Sequence, residues 1–511
     1  MILLVELTGY TDASTSAVYR YATAGYQTSP SDTPANTLYE ARVIDPGSIS
    51  RKMTDLSRSA PRGEVGFGEI VLANGDGGLD TLFGSGSVSF RERLVRVLMV
   101  AEGAAYSTAT VLLSAVIAQV QLSSDTVSIA IKDASYILAS AHQTTTYGGT
   151  NSLPAGVDGV DDIKGKVKPL LYGKAFKIAP PCVNTSKLIY QISDRALQSV
   201  DGVYDGGSAL TAGATYADQA AMEATAPAAG QYRAWLAGGM IRLGSSLTYG
   251  LTVDATADTA GNSTAAQLLK TLALARGWSS GDISSSDVTA LDALNSSVLG
   301  IWIDDSRTTL DAMDLIAQSV GACYWVDRLG ALRMARLDLP SGTSAETIAP
   351  WKFANVTQSS NGQDVPAGTV RIKYARYHQT QSRTELAGSV TQADAADLGQ
   401  EWRVSTYTAA PSPNPHKRLL TIERESAITS KTNADTESQR LQELWAAPRR
   451  IHDCTNVRLI EDNALTLDLN AVVGFRWSRY GFSSETDTLR RVVGLTFYFR
   501  DLRCDMTLWG A

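Results

Sequence analysis

A chain of 511 residues is too long for one ordinary hydrophobic core, which predicts three or four domains. Hydrophobic residues make up 44% and charged residues 19%. The first figure excludes wholesale disorder; the second lies below the roughly 25% usual in soluble proteins, and Ser, Thr, Gly and Ala fill the difference. A net charge of -7, from 45 Lys and Arg against 52 Asp and Glu, argues against a nucleic-acid-coating surface, because phosphate binding needs clustered cations.

Residues 1–10 hold a short apolar stretch with no basic residues ahead of it, which is not the pattern of a signal peptide. Residues 103–124 carry no charge, yet Gln119 and Gln121 alternate with Ala118, Val120 and Leu122. That is a strand period, so no membrane span is expected. Val127, Ile129 and Ile131 alternate with Ser128, Ala130 and Lys132 in the same way. These features define an N-terminal β domain over 1–150. A Gly-, Thr- and Asp-rich stretch, 144–166, reads as the linker that closes it. Turn signals crowd the nearly uncharged region that follows, predicting a β-rich insertion domain over 165–258.

Helices are expected next, in an α+β domain over 259–345. Asn262 is the predicted cap of a helix whose stripe is Ala265, Leu268, Leu269, Leu272 and Ala275, with Gly277 as its stop. A second helix, about 306–320, aligns Leu310, Met313, Ile316 and Val320 before Gly321. A hairpin turning at 327–330 follows. The last domain, 346–511, reads as a β-barrel with one helix near 436–445, where Leu441, Leu444 and Trp445 come together. Val370, Ile372 and Tyr374 mark one strand, and a Pro-rich loop lies at 409–418. Leu495, Phe497 and Phe499 share one strand face, and Cys504, Met506 and Leu508 another. The fold class is therefore mainly β with a few helices, a multidomain α+β chain without a 20–50-residue repeat.

Catalytic signatures are missing. There is no GxxxxGK[ST], no complete GxGxxG, no HExxH and no GxSxG. His142, His378, His416 and His452 stand beside no nucleophile in sequence and read as surface or hydrogen-bonded histidines. Asp304 and Asp305 follow an apolar strand, where a glycosidase would place a carboxylate; the simpler expectation is a cap for the next helix. Asp158, Asp161 and Asp162 form a second acidic group. The segment 74–80 matches a calcium loop only at its first positions and is expected to be a turn. Cys182, Cys323, Cys454 and Cys504 form no CxxC and are expected to be buried thiols of a chain made in a reducing cytosol. No catalytic, metal or cofactor residue is predicted.

Several segments do resemble a known family. "LYGKAFKIAPPCVN" at 171–184 and "IYQISDRALQSVDGVYDGGSAL" at 189–210 resemble the central region of tail-tip hub proteins of long-tailed bacteriophages and related gene transfer agents. "EVGFGEIVLANGDGGLDTLF" at 64–83 and "RLVRVLMV" at 93–100 are similar to the start of that family. "SQRLQELWAA" at 438–447 and "RRVVGLTFYFRDLRCDMTLWG" at 490–510 are similar to its ending. The resemblance covers most of 40–511. It implies β-barrel or sandwich domains like those of a baseplate hub, arranged about a threefold axis. It implies a structural virion protein of the tail tip, made in the host cytoplasm, that joins and closes the tail tube and forms part of the DNA ejection channel. The partners implied are further copies of the chain, a trimer before a hexamer, a distal tail or tail tube protein, the tape measure protein and a tail fibre or receptor-binding protein. DNA would be met only in transit. Some hubs hold an iron–sulfur cluster through clustered cysteines; the four here are dispersed, and that site is not carried over. Two other readings stay open: a hexameric distal tail ring with a carbohydrate-binding-like appendage at 204–249, and a tail-borne glycosidase or depolymerase. For the hub, the outward residues Arg500, Arg503, Asp505 and Trp509 are the interface candidates.

Overall fold

Alternation makes the strands of the first sheet. In the computed structural model, Val127, Ile129 and Ile131 of the strand Thr126–Lys132 turn into the core and the residues between them turn away. The structure describes residues 1–53, 61–360, 362–409, 416–457 and 467–510, and the chain is mainly β, with 39% strand and 18% helix. The first sheet has nine strands, with Ile2–Tyr10, Leu94–Val100 and Thr110–Leu122 at its centre. The six consecutive residues from Ile2 to Leu7 show no alternation and are all buried, because both faces of the sheet are covered there.

The middle of the chain folds as two five-stranded sheets around one core. Leu171, Ala175, Val203 and Val253 enter that core from one sheet, and Tyr232, Ala234, Ile241 and Leu243 from the other. This is a sandwich. Its root is the strand Leu170–Ile178, which pairs on one side with Leu251–Thr256 and on the other with Gly300–Ile303, a strand that lies beyond the insertion in sequence. The stretch 144–166, expected to be a linker, is packed onto this unit. Tyr147 and Ile163 are buried with Val183, Ile189 and Met240, and Asn151 Nδ2 donates to the Val183 carbonyl at 2.6 Å.

The helices are α1 (Asp80–Gly84), α2 (Gln219–Ala224), α3 (Ala265–Ala275), α4 (Ser285–Leu294), α5 (Thr309–Ser319), α6 (Gln392–Leu398) and α7 (Lys431–Leu444). The predicted apolar stripe of α5 is buried, as are Ala265, Leu268, Leu269 and Leu272 of α3, while Ala275 at the end of that stripe is exposed; Gly277 and Gly321 close the two helices with φ of 86° and 64°. Their caps differ from expectation. Thr264 caps α3, because Ala260–Asn262 is already a 3-10 turn. Thr308 caps α5 in a capping box with Asp311.

Among the described residues, the C-terminal sheet has eight strands in a branched order that ends at Thr347–Ile348, Asn355–Ser359 and Glu64–Phe67, so it is an open sheet where a barrel was expected. One of its members comes from the other end of the chain. The hairpin of Ser48–Lys52 and Glu64–Phe67 lies within the predicted N-terminal domain, yet Ser48–Lys52 pairs with Thr488–Tyr498 in the register Leu495 to Arg51 and Phe497 to Ile49. A single core consequently runs through the first sheet, the α3–α5 unit and the C-terminal sheet. A separate three-stranded sheet, Ala367–Tyr374 with Arg403–Thr408 and Leu420–Glu425, carries Val370, Ile372 and Tyr374 inward next to α7. The Pro-rich loop predicted at 409–418 lies mostly outside the described residues.

Candidate assembly interface

The last two strands, Thr488–Tyr498 and Arg503–Gly510, form a hairpin in which Phe497 faces Cys504 and Leu495 faces Met506. All four side chains are buried, as are Phe499 and Leu508. The polar residues between them look outward. Arg500 is exposed at the tip. Arg503 is half-buried, 3.4 Å from Asp501, with its guanidinium 4.5 Å from the centre of the Tyr498 ring. Asp505 accepts from the Tyr498 hydroxyl at 3.2 Å and the Asn456 backbone N–H at 2.7 Å. Such pairs hold the side chains in place while leaving the face polar.

Trp509 corrects the expectation. It is 0% exposed, its indole N–H donates to Gln363 Oε1 at 2.8 Å, and it meets Trp445 edge-on with ring centres 5.7 Å apart. The end of the strand is covered on both faces, so Leu508, Trp509 and Gly510 are all buried and the alternation stops. Trp509 is a packing residue within the chain. Trp509→Phe removes the indole donor and leaves a gap where the second ring of the indole packs, so thermal unfolding should show a loss of about 2–4 kcal/mol with assembly unchanged.

The other residues singled out by chemistry are dispersed. Neither Asp304 nor Asp305 caps α5; Asp305 instead holds Arg307 by two hydrogen bonds of 2.8 Å, which keeps its own carboxyl below the usual range. Asp158 pairs with Lys168 at 3.0 Å and accepts from the Thr150 hydroxyl, bracing the 144–166 segment. Asn74 accepts from the Leu79 N–H and donates to Asp80, while Asp76 pairs with Arg42 at 2.8 Å, so this segment is a braced turn. Cys323, Cys454 and Cys504 are buried thiols outside any disulfide and Cys182 is half-buried; burial pushes Cys454 up to about 12. His142 sits between the Tyr172 hydroxyl at 2.7 Å and Thr309 Oγ1 at 3.0 Å. His452 lies among Phe475, Phe482 and Tyr480, with Nε2 3.1 Å from Gln358 Oε1. His378 meets Trp302 edge-on. Among the described residues, no group of three His, Cys, Asp or Glu side chains could hold a metal ion, and no helix is long and apolar enough to cross a membrane.

One surface feature escaped the sequence reading. Trp351 is 74% exposed and Tyr480 50% exposed, and the Tyr480 hydroxyl reaches the Val356 carbonyl on Asn355–Ser359, the end strand of the C-terminal sheet. The Pro-Trp-Lys sequence at 350–352, outside any periodic pattern, was the available signal.

No family model matches the chain, and no curated protein matches it. Among solved structures, it is similar to the 43 kDa tail protein of prophage MuSo2 from Shewanella oneidensis, at 10% identity over 98% of each chain with a TM-score of 0.41. It is similar to the tail protein from Neisseria meningitidis MC58, at 10% identity over 99% of this chain and 96% of that one, with a TM-score of 0.43. A chain of the virion of a native gene transfer agent particle is similar over 68% of this chain and 85% of its own, at 13% identity and a TM-score of 0.38.

Proposed function

We propose that the chain is a structural protein of a phage tail, and that it serves as the central hub of the tip or baseplate. The observation that carries this reading is where the phage-like segments fall. Residues 93–100 form a central strand of the nine-stranded sheet, 171–184 begin with the root strand of the insertion, and 490–510 form the closing hairpin of the C-terminal sheet. They are the framework of the fold and not its loops. The shared core of the two large sheets adds a mechanical reason, since one continuous packed body resists distortion better than domains joined by linkers.

In this role the protein acts as a trimer, joins and closes the end of the tail tube, contacts the distal tail or tube protein and the tape measure protein, carries fibre or receptor-binding proteins, and lets DNA pass during ejection. It is a virion component without catalytic activity of its own. Arg500, Arg503 and Asp505 supply part of its contact surface.

Native mass measurement and particle averaging test the proposal. Three copies around one axis support the hub; six support a distal tail ring. A chain that stays monomeric beside its tube and tape-measure partners overturns both, and turnover of host polysaccharide by the purified chain would restore the enzyme reading. A cyclic assembly repeats each contact, so Arg503→Glu counts three times in a trimer. It should weaken assembly by about tenfold or more, read as a shift to smaller species at equal concentration.

A further inference from the structure

The outer backbone groups of an end strand have no ladder partner, so a further strand can add there. Folded chains usually blunt such edges by keeping them short or charged. Here six end strands, Tyr26–Gln27 and Thr347–Ile348 among them, have only two or three residues, and Leu420–Glu425 carries Glu423, Arg424 and Glu425.

Two end strands have neither protection. Asn355–Ser359, at the end of the C-terminal sheet, has five residues and no charge, and its register with Arg450–Val457 runs through all of them without a bulge. Arg403–Thr408, at the end of the three-stranded sheet, has six residues in an unbroken register. Its one charge, Arg403, is held by Asp397 at 2.7 Å and lies over the Tyr377 ring. The rest is Val, Ser, Thr and Tyr, with Val404 50% exposed. The Ala409 N–H donates to the carbonyl of Gly368 opposite it, so antiparallel alternation turns the backbone groups of Thr408, Thr406 and Val404 away from Ala367–Tyr374. Among the described residues, no strand or bridge occupies the outer side of either end strand.

We infer that these two edges pair with each other between copies, Arg403–Thr408 of one chain adding to Asn355–Ser359 of the next. The lengths match, and no like charges meet across the contact. A partner of another sequence would cover one edge and leave the second open, whereas a second copy supplies for each edge the one it lacks. A contact between unlike patches runs head to tail and closes into a ring when the rotation allows. The edge also continues the charged surface at the hairpin tip, because Asn355 pairs with Thr455 and the next N–H, that of Asn456, donates to Asp505. Tyr480, whose hydroxyl reaches the Val356 carbonyl, stands beside the incoming strand and gains cover from it. The inference rests on the reading of the chain as a subunit of a cyclic tail assembly.

Thr406→Pro and Thr357→Lys test it on the full chain by native mass measurement, under conditions in which the unmodified chain assembles. The Thr406 N–H points outward, so proline breaks no bond of the internal ladder and removes a donor from the contact. Thr357→Lys places a charge on the other edge and carries the test alone if proline unfolds the strand. Each variant should unfold at the temperature of the unmodified chain and assemble about tenfold more weakly, the equivalent of one net hydrogen bond. Mixed in equal amounts, the two should form pairs of one copy each and no ring, since one intact edge remains on each. Rings from both variants at the concentration of the unmodified chain, or a mixture that forms no pairs, overturn the edge contact and leave the tail-hub reading standing. An unmodified chain that never assembles overturns both.

Discussion

Gly173→Ala should unfold the root of the insertion domain, with a cost on the order of 4 kcal/mol. Gly173 adopts a φ of 65° inside the strand Leu170–Ile178, a conformation open to glycine and strained for alanine. A Cβ at this position would also overlap the carbonyl oxygen of Leu299 on the incoming chain, and a Cβ on its paired partner Gly300 would overlap the backbone of Lys174. Backbone cannot move aside as a side chain can. The Gly173 N–H donates to Asp258 at 2.9 Å, and Asp258 also holds Arg195 at 3.0 Å, so the two crossings of the chain are pinned to one carboxylate. Thermal unfolding and protease sensitivity of the insertion, compared with the open position Gly388→Ala, measure the effect. A Gly173→Ala chain as stable as the unmodified one would mean that the two backbones do not approach as described.

Acid should destabilise the chain across a defined window. Burial pushes His142 and His452 down to about 4 from an ordinary 6.5, and nearby arginines push in the same direction. Both residues are nearly inaccessible, at 5% and 1% exposed. Between the two values the unfolded chain binds a proton that the folded chain refuses, so stability falls as pH falls from 6.5 toward 4. The contribution is intact above 6.5 and gone below about 4. The interval corresponds to about 3 kcal/mol for each histidine. Denaturant midpoints at pH 7.5, 6 and 5 test this, because carboxylates with lowered values, such as Asp305, titrate below that range. His452→Phe fits the aromatic surroundings of Phe475 and Phe482 and should flatten the slope by one proton. An unchanged slope would show that His452 is charged in the folded chain.

Periodicity made much of this legible. The stripes of α3 and α5 and the alternation at Val127–Ile131 record burial directly, since each side chain's environment follows from its own position. α4 was missed because only Val288 and Leu291 are buried on it, too few to make a stripe. Asp304 and Asp305 were misplaced as caps because the chain runs on to a bridge between Ala141 and Thr308 before α5 begins. Trp509 was misread for a related reason: alternation assumes that one face meets water, and Trp445 with Gln363 covers the second face there. The partner of Ser48–Lys52 could not be read at all, because a strand's pattern says which face is buried and not which strand lies beside it.

The hairpin at Ser48–Lys52 has a consequence for biosynthesis. Ser50 and Thr496, whose hydroxyls lie 3.0 Å apart, are separated by 446 positions. At roughly 5–20 residues per second, a ribosome needs about 20–90 s to travel between them. Throughout that interval the nascent chain displays an edge whose complement has not been made, and closing so large a loop is among the slowest steps a fold can require. Polypeptides released early, before about residue 488, would keep that edge open and be prone to sticking to one another. Only a chain made as far as Tyr498 can cover it, so the topology makes synthesis of that late strand a condition for a closed subunit.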